Sequence, residues 1–173
     1  YCRNRTHRRH REHKGYCGLI QINITRYSSI MASELDIDQL MKALDNEENE
    51  GILKLTHAKM ARIKNDMLQK LGLERGELKK LHKKLKNYRY VDEMPDIQFG
   101  SYIRWISLKN PTSIKLTNGG IICDIQVKNN GIHIVCRNNM HRFCQLLMSE
   151  NLIFQKLTDQ ENVLLSVMDH LNE

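Results

Sequence analysis

The spacing of hydrophobic positions along this chain changes once, near residue 92. Before that point apolar residues recur every three or four positions, and after it mostly every two. In residues 35–48, Ile37, Leu40, Met41 and Leu44 fall at helical spacing. Ser33 or Asp36 supplies the side-chain oxygen that accepts from first-turn amides, and the acids at 45–50 mark the end of the helix. A second helix is expected over 57–71. Thr56 is its N-cap, Leu55 and Met60 sit in the staple positions, and Met60, Ile63, Met67 and Leu71 form one stripe. Gly72 then suits the left-handed position past the helix end, with Leu73 folding back. A third helix is expected over 75–90, with Leu78, Leu81 and Leu85 inward and Lys79, Lys80, Lys83, Lys84 and Lys86 over the remaining surface.

The segment Asp92-Glu-Met-Pro-Asp96 breaks this pattern, because Pro95 disfavours helix at the residue before it. Strands are expected near 97–107, 113–117, 121–128, 132–137, 141–148 and 152–156. Ile121, Cys123, Ile125 and Val127 alternate with Ile122, Asp124, Gln126 and Lys128, the period-two pattern of a half-buried strand, and Ile132, Ile134 and Cys136 continue it. Asn118-Gly119-Gly120 and Asn130-Gly131 are read as tight hairpin turns that need positive φ, with Asn138-Asn139 as a third turn. Thr158 and Glu161 form a capping box. It opens a last helix whose apolar side is Val163, Leu164, Val167, Met168 and Leu171, expected to cover one end of the sheet.

These elements predict an α+β fold: an N-terminal helical segment, then a small antiparallel β-meander or SH3-like barrel, then a C-terminal helix. Five or six short strands are too few for a two-sheet sandwich, and closure removes exposed edges. The expected division is a basic arm outside the fold at 1–30, a helical segment at 31–91, and a small β-domain with its C-terminal helix at 92–173.

The chain has 173 residues and a formal net charge of +7. Seven bases against one acid give residues 1–30 a charge of +6, which leaves +1 for residues 31–173. The body is nearly neutral but polarised: residues 74–90 hold seven bases and two acids. The arm precedes Met31-Ala-Ser, which resembles a translation start, so residues 1–30 are read as upstream translated sequence or a fragment boundary. A phosphate-binding arginine arm is the competing reading. Cys2, His7, His10, His13 and Cys17 are zinc-type ligands, but their spacing fits no zinc module and no apolar core accompanies them. No metal or other cofactor is therefore expected.

The sequence lacks a phosphate-binding loop, a G-x-S-x-G elbow and an H-E-x-x-H helix. Cys123, Cys136 and Cys144 fall on expected strands, where cysteine is ordinarily a small core residue. Three is an odd number, and no secretory signal is recognisable, so reduced thiols are expected. His133 and Cys136 differ by an odd number and face opposite sides of a strand, which separates them as a catalytic pair. A helix-turn-helix reading fails because Glu74 and Glu77 stand where a recognition helix meets phosphates.

The expected function is therefore non-enzymatic binding or assembly. Lys79, Lys80, Lys83, Lys84, Lys86 and Arg89 are the candidate contacts to nucleic acid or an acidic protein surface. Tyr102, Arg104 and Trp105, on the first expected strand, are the candidates for an exposed barrel contact. No apolar run reaches the roughly 18 residues of a membrane span.

The segments LKKLHKKLKNYRYVDEM, FGSYIRWISLKN, IKLTNGGIICDI and LIFQKLTDQENVLLSVMDHL resemble small uncharacterised proteins of nucleocytoplasmic large DNA viruses. The likeness covers about residues 55–173. It implies expression in the cytoplasm of an infected host cell, with packaging in a virion as a further outcome. It brings no catalytic residues. It also supplies the alternative function, a virion structural protein that uses the same surface for protein–protein contacts.

Overall fold

The computed structural model describes residues 37–49, 51–110 and 114–171. The expected caps Ser33 and Asp36, the basic arm and its Cys/His cluster lie outside them. Four α-helices are described: α1 (Ile37–Leu44), α2 (His57–Gln69), α3 (Arg75–Lys84) and α4 (Asp159–Leu171). Six strands form one sheet: β1 (Tyr88–Val91), β2 (Tyr102–Ser107), β3 (Gly120–Lys128), β4 (Gly131–Arg137), β5 (Phe143–Leu147) and β6 (Asn151–Lys156). Every pairing is antiparallel. The spatial order is β1-β6-β2-β3-β4-β5, so the sheet is open with β1 and β5 at its edges. The fold is α+β. Strands β2 to β5 make a meander, and β6 returns to lie between β1 and β2.

That return forces the sheet to bend. In a flat sheet β5 and β6 lie four strand spacings apart, at least about 19 Å. Only a 3-10 turn, Met148–Glu150, joins them, and the chain from Leu147 to Asn151 reaches at most about 14 Å. The inner face accordingly closes on itself. Val91, Ile103, Ile122, Ile134, Cys136, Leu146 and Ile153, drawn from all six strands, join Ile97 and Met148 in one buried cluster. A register shift between Ile122 and Asp124 sharpens the bend, with Cys123 as the extra residue.

The outer face carries a second core on its β1-β6-β2 half. Leu68 of α2 and Leu85 pack there against Ile106, Leu152 and Phe154, with Leu78, Leu81, Tyr88 and Tyr90 around them. The Tyr90 and Phe154 rings are tilted by 60° at 5.8 Å. Helices α2 and α3, before Asp92, and the strands β2 and β6, after it, thus share this core. Helix α4 packs on the turn at 52–54 and on α2.

The expected caps form. Thr56 Oγ1 accepts from Lys59 N at 3.1 Å, and Gly72 has φ +62°. The capping box of α4 closes in both directions, with Glu161 N donating to Thr158 Oγ1 and Thr158 N donating to Glu161 Oε2.

Three elements differ from expectation. The third helix stops at Lys84, and Tyr88–Val91 is a strand paired with β6. Tyr-Arg-Tyr-Val alternates at period two with aromatic and β-branched residues, which suits a pleated surface better than a helix. The strand expected at 113–117 is reduced to one bridge, Ile106 with Leu116. Asn118-Gly119-Gly120 is not a hairpin turn. Thr117 N still donates to Trp105 O and Gly120 pairs with Ile103, so the glycines kink a segment that continues along β2. A Cβ on Gly119 would stand 2.3 Å from Ile103 O, at φ +95°. The close approach, not a chain reversal, requires glycine there. The β3–β4 reversal is at 129–130, closed by Gly131 at φ +124°.

Candidate functional site

Helix α3 and the turn after it hold the lysines. Leu78 and Leu81 face the outer core, which leaves Lys79, Lys80, Lys83 and Lys84 exposed, and Lys86 is exposed on the turn. Among the described residues, no carboxylate pairs with any of the five; the ion pairs found are Arg89–Glu161 and Lys109–Glu150, and Asp169 is hydrogen-bonded to His57 Nδ1. Lys83 and Lys84 lie in the last helical turn, where positive charge suits the helix dipole. That effect does not reach Lys79 and Lys80.

A buried lysine fixes this helix end, and sequence reading missed it. Lys64 of α2 is buried, and its Nζ donates to Leu85 O at 2.7 Å and Tyr88 O at 2.9 Å, with Lys86 O at 3.5 Å. The last carbonyls of a helix have no partner within it; here an ammonium from the neighbouring helix supplies one. Burial lowers the pKa of Lys64 from the ordinary lysine value. The contact also sets the turn that carries Lys86 and leads into β1. In sequence Lys64 looks like one more polar position on α2. Only its place between the buried Met60 and Leu68 hints otherwise.

Arg89 does not belong with these lysines. It lies on β1, is 4% exposed, and its Nε stands 3.3 Å from Glu161 Oε1, itself fully buried. Its NH2 group donates to Asp96 O at 2.7 Å. Read as a helix end, Arg89 would be solvated. As the second residue of an alternating strand it turns to the inner side, and its charge is spent within the fold.

Tyr102, Arg104 and Trp105 do not form one contact. Adjacent strand residues point to opposite faces. Trp105 packs on the inner cluster, whereas Tyr102 and Arg104 share the outer face. There the 117–119 segment crosses them: Tyr102 Oη donates to Asn118 O at 2.6 Å and Arg104 Nε to Thr117 O at 2.8 Å.

The strand register adds residues that local patterns do not reveal. Tyr88 pairs with Lys156. Lys156 follows Gln155, whose partner is Ile103, and so stands level with Tyr102. Tyr102 pairs with Ile121, Ile121 with Arg137, and Arg137 with Phe143. Directly paired residues share a face. Tyr88, Lys156, Tyr102, Ile121, Arg137 and Phe143 therefore form one row on the outer face, crossing all six strands. Lys156 and Arg137 are exposed, Ile121 is 41% exposed and Phe143 66%.

Cys136 is buried in the inner cluster and Cys144 packs against it, whereas Cys123, the extra residue of the bulge, is half-exposed and belongs to neither core. Cys136 and Cys144 are directly paired across β4 and β5, and all three described cysteines are free thiols. Burial first, then the neighbouring Cys144 and Cys123, pushes the Cys136 thiol up to about 12. Such a thiol is almost wholly protonated at neutral pH and is a poor nucleophile. Lys109, Asn130, His133, Gln145, Leu147 and Glu150 line a cleft of about 260 Å³, below the roughly 300–1,000 Å³ of small-molecule sites. Among the described residues no group of three or more His, Cys, Asp or Glu is placed to hold a metal ion. No described helix is long and apolar enough to cross a membrane.

No family model, curated protein or solved structure matches this chain.

Proposed function

We propose that this protein is a non-enzymatic nucleic-acid-binding protein that makes its main contact through the lysines of α3 and the following turn. The observation that carries the reading is the set of five exposed lysines within eight residues, unpaired by any described carboxylate. A surface that only needs solubility ordinarily mixes both signs, and on α3 itself Glu77 is the one acid. Lysines bind phosphate as point charges and carry no base information, so the contact is weakly sequence-dependent and strongly salt-dependent. An acidic protein surface offers the same charge and is the competing partner.

Fluorescence anisotropy of a labelled oligonucleotide, titrated with the full chain at low salt, tests the proposal. Binding that disappears in a variant with Lys79, Lys80, Lys83 and Lys84 all changed to Glu supports it. Absence of binding by the unmodified chain at low salt overturns it, and capture of a polyglutamate probe in place of the oligonucleotide favours the acidic-protein partner.

A further inference from the structure

The outer row continues directly from the basic helix. The turn after α3 carries Lys86, and two residues later Tyr88 begins the row. Helices α2 and α3 cover only its start, where Tyr88 joins the outer core. Beyond Tyr102, the described helices leave the β3-β4-β5 part of the face uncovered, and Ile121, Arg137 and Phe143 stand exposed there. Two cations, Lys156 and Arg137, are set among the apolar and aromatic residues of the row, and Arg142 is exposed beside Phe143. The acid nearest in register, Asp124, lies one row further on, held by Gln126 Nε2 at 2.6 Å and by Ile125 N.

The side chains of Lys156, Arg137 and Phe143 make no described hydrogen bond or ion pair and belong to neither core cluster. An exposed Phe at an edge strand contributes little to the core and exposes β5 to unwanted pairing. Cations alone attract any polyanion. Cations interleaved with open aromatic faces select a polyanion whose bases are free to stack, and in a duplex the bases are stacked on each other. Six strands at about 4.8 Å give a track of roughly 24 Å, in the range of a site for several nucleotides.

Resting on the nucleic-acid reading above, we infer that the ligand is single-stranded, its backbone following Lys156, Arg137 and the α3 lysines, with a base stacked on Phe143. Phe143 is the decisive residue, because it is exposed and makes no described hydrogen bond or ion pair with its side chain. Tyr102 is tied to the 117–119 segment and is a poorer site for substitution.

The test uses the full chain and a fluorescein-labelled 12-nucleotide mixed sequence, offered as single-stranded DNA, as single-stranded RNA and as the DNA duplex. Either single strand should bind more tightly than the duplex, and comparison of the two identifies the natural sugar. Phe143→Ala should weaken single-strand binding at least about fivefold, since stacking on an aromatic is worth about 1–3 kcal/mol per base. It should leave duplex binding unchanged, and Phe143→Trp should retain the single-strand affinity. Equal affinity for single strand and duplex, with Phe143→Ala neutral and the four-lysine variant inactive, would overturn this inference and leave the basic-face reading standing. Failure of all three probes would overturn both. Urea midpoints of the Phe143 variants within error of the parent exclude misfolding as the cause of lost binding.

Discussion

Replacing Lys64 with Met tests how the basic helix is held against the sheet. Methionine keeps an unbranched apolar stem, one atom shorter, and removes every side-chain donor. The change takes the charged donor from Leu85 O and Tyr88 O, which lie 2.7 and 2.9 Å from Nζ. Hydrogen bonds to charged groups contribute about 1.5–3 kcal/mol each, so the two together are worth about 3–6 kcal/mol. Burial of the ammonium opposes this, as its lowered pKa reflects, and relieving that burial returns part of the loss. The expected net cost is about 2–4 kcal/mol, a fall in Tm of roughly 6–15 °C for a domain of this size. Urea unfolding followed by far-UV circular dichroism, with the slope unchanged, measures it. The pH dependence has a defined sign. The folded-state pKa of Lys64 lies below the unfolded 10.5, so between the two values the unfolded chain holds more protons and stability rises with pH. The parent should gain on Lys64→Met as pH approaches 10.5. A variant as stable as the parent, or more stable, would refute the argument by showing that desolvation outweighs the capping bonds.

Other expectations follow from the core and the turns. Glu161→Gln leaves the buried Arg89 charge uncompensated while keeping an oxygen for the Thr158 cap, and should cost about 3–5 kcal/mol in urea unfolding, whereas adding Arg89→Met to it should recover much of that loss; an equal loss in both would show that the cost does not come from the unpaired charge. Gly119→Ala forces a Cβ against Ile103 O at positive φ and should cost at least about 2 kcal/mol, with loss of amide protection at Thr117 and Ile122 in hydrogen exchange; wild-type protection would contradict the crossing described. Cys136 should resist iodoacetamide at pH 7.5 until the protein unfolds. Its thiol is raised from 9.0 to about 12 on folding, so the contribution of Cys136 to stability should fall as pH rises above 9, because the unfolded chain loses that proton first, and Cys136→Ala should remove this fall.

Much of the helical half is legible in the sequence because its signals are local. Thr56, Gly72 and the Thr158–Glu161 box each act within one turn of chain, and each sits where its chemistry places it. The positions of the strands from 120 onward are legible for the same reason, since period-two alternation is a neighbour effect, but the buried face of β3 is not: the bulge at Cys123, set by pairing with β4, buries Ile122 before it and turns Ile125 inward after it, while Ile121 and Val127 stand exposed. The misreadings all concern partners distant in sequence. The end of α3 depends on Lys64, 21 residues before Leu85, and a stripe of leucines cannot announce that donor. Arg89 reads as solvated until its strand faces Glu161 from the other end of the chain. Gly119-Gly120 carries a turn signature because glycine serves reversals and close approaches equally, and only the position of Ile103 O separates the two. The outer row is the extreme case. Its six residues are ordinary one by one, and only the β1-β6-β2-β3-β4-β5 order brings them level.

The central claim is that the four exposed α3 lysines bind nucleic-acid phosphates. The measurement that tests it most directly is the salt dependence of single-strand affinity for the parent and for a variant with Lys79, Lys80, Lys83 and Lys84 all changed to Gln. Each neutralised phosphate contributes about 0.7 to the slope of log K against log salt for single strands. The variant should therefore show a slope shallower by about 3, together with weaker binding at low salt. An unchanged slope in the variant would contradict the account.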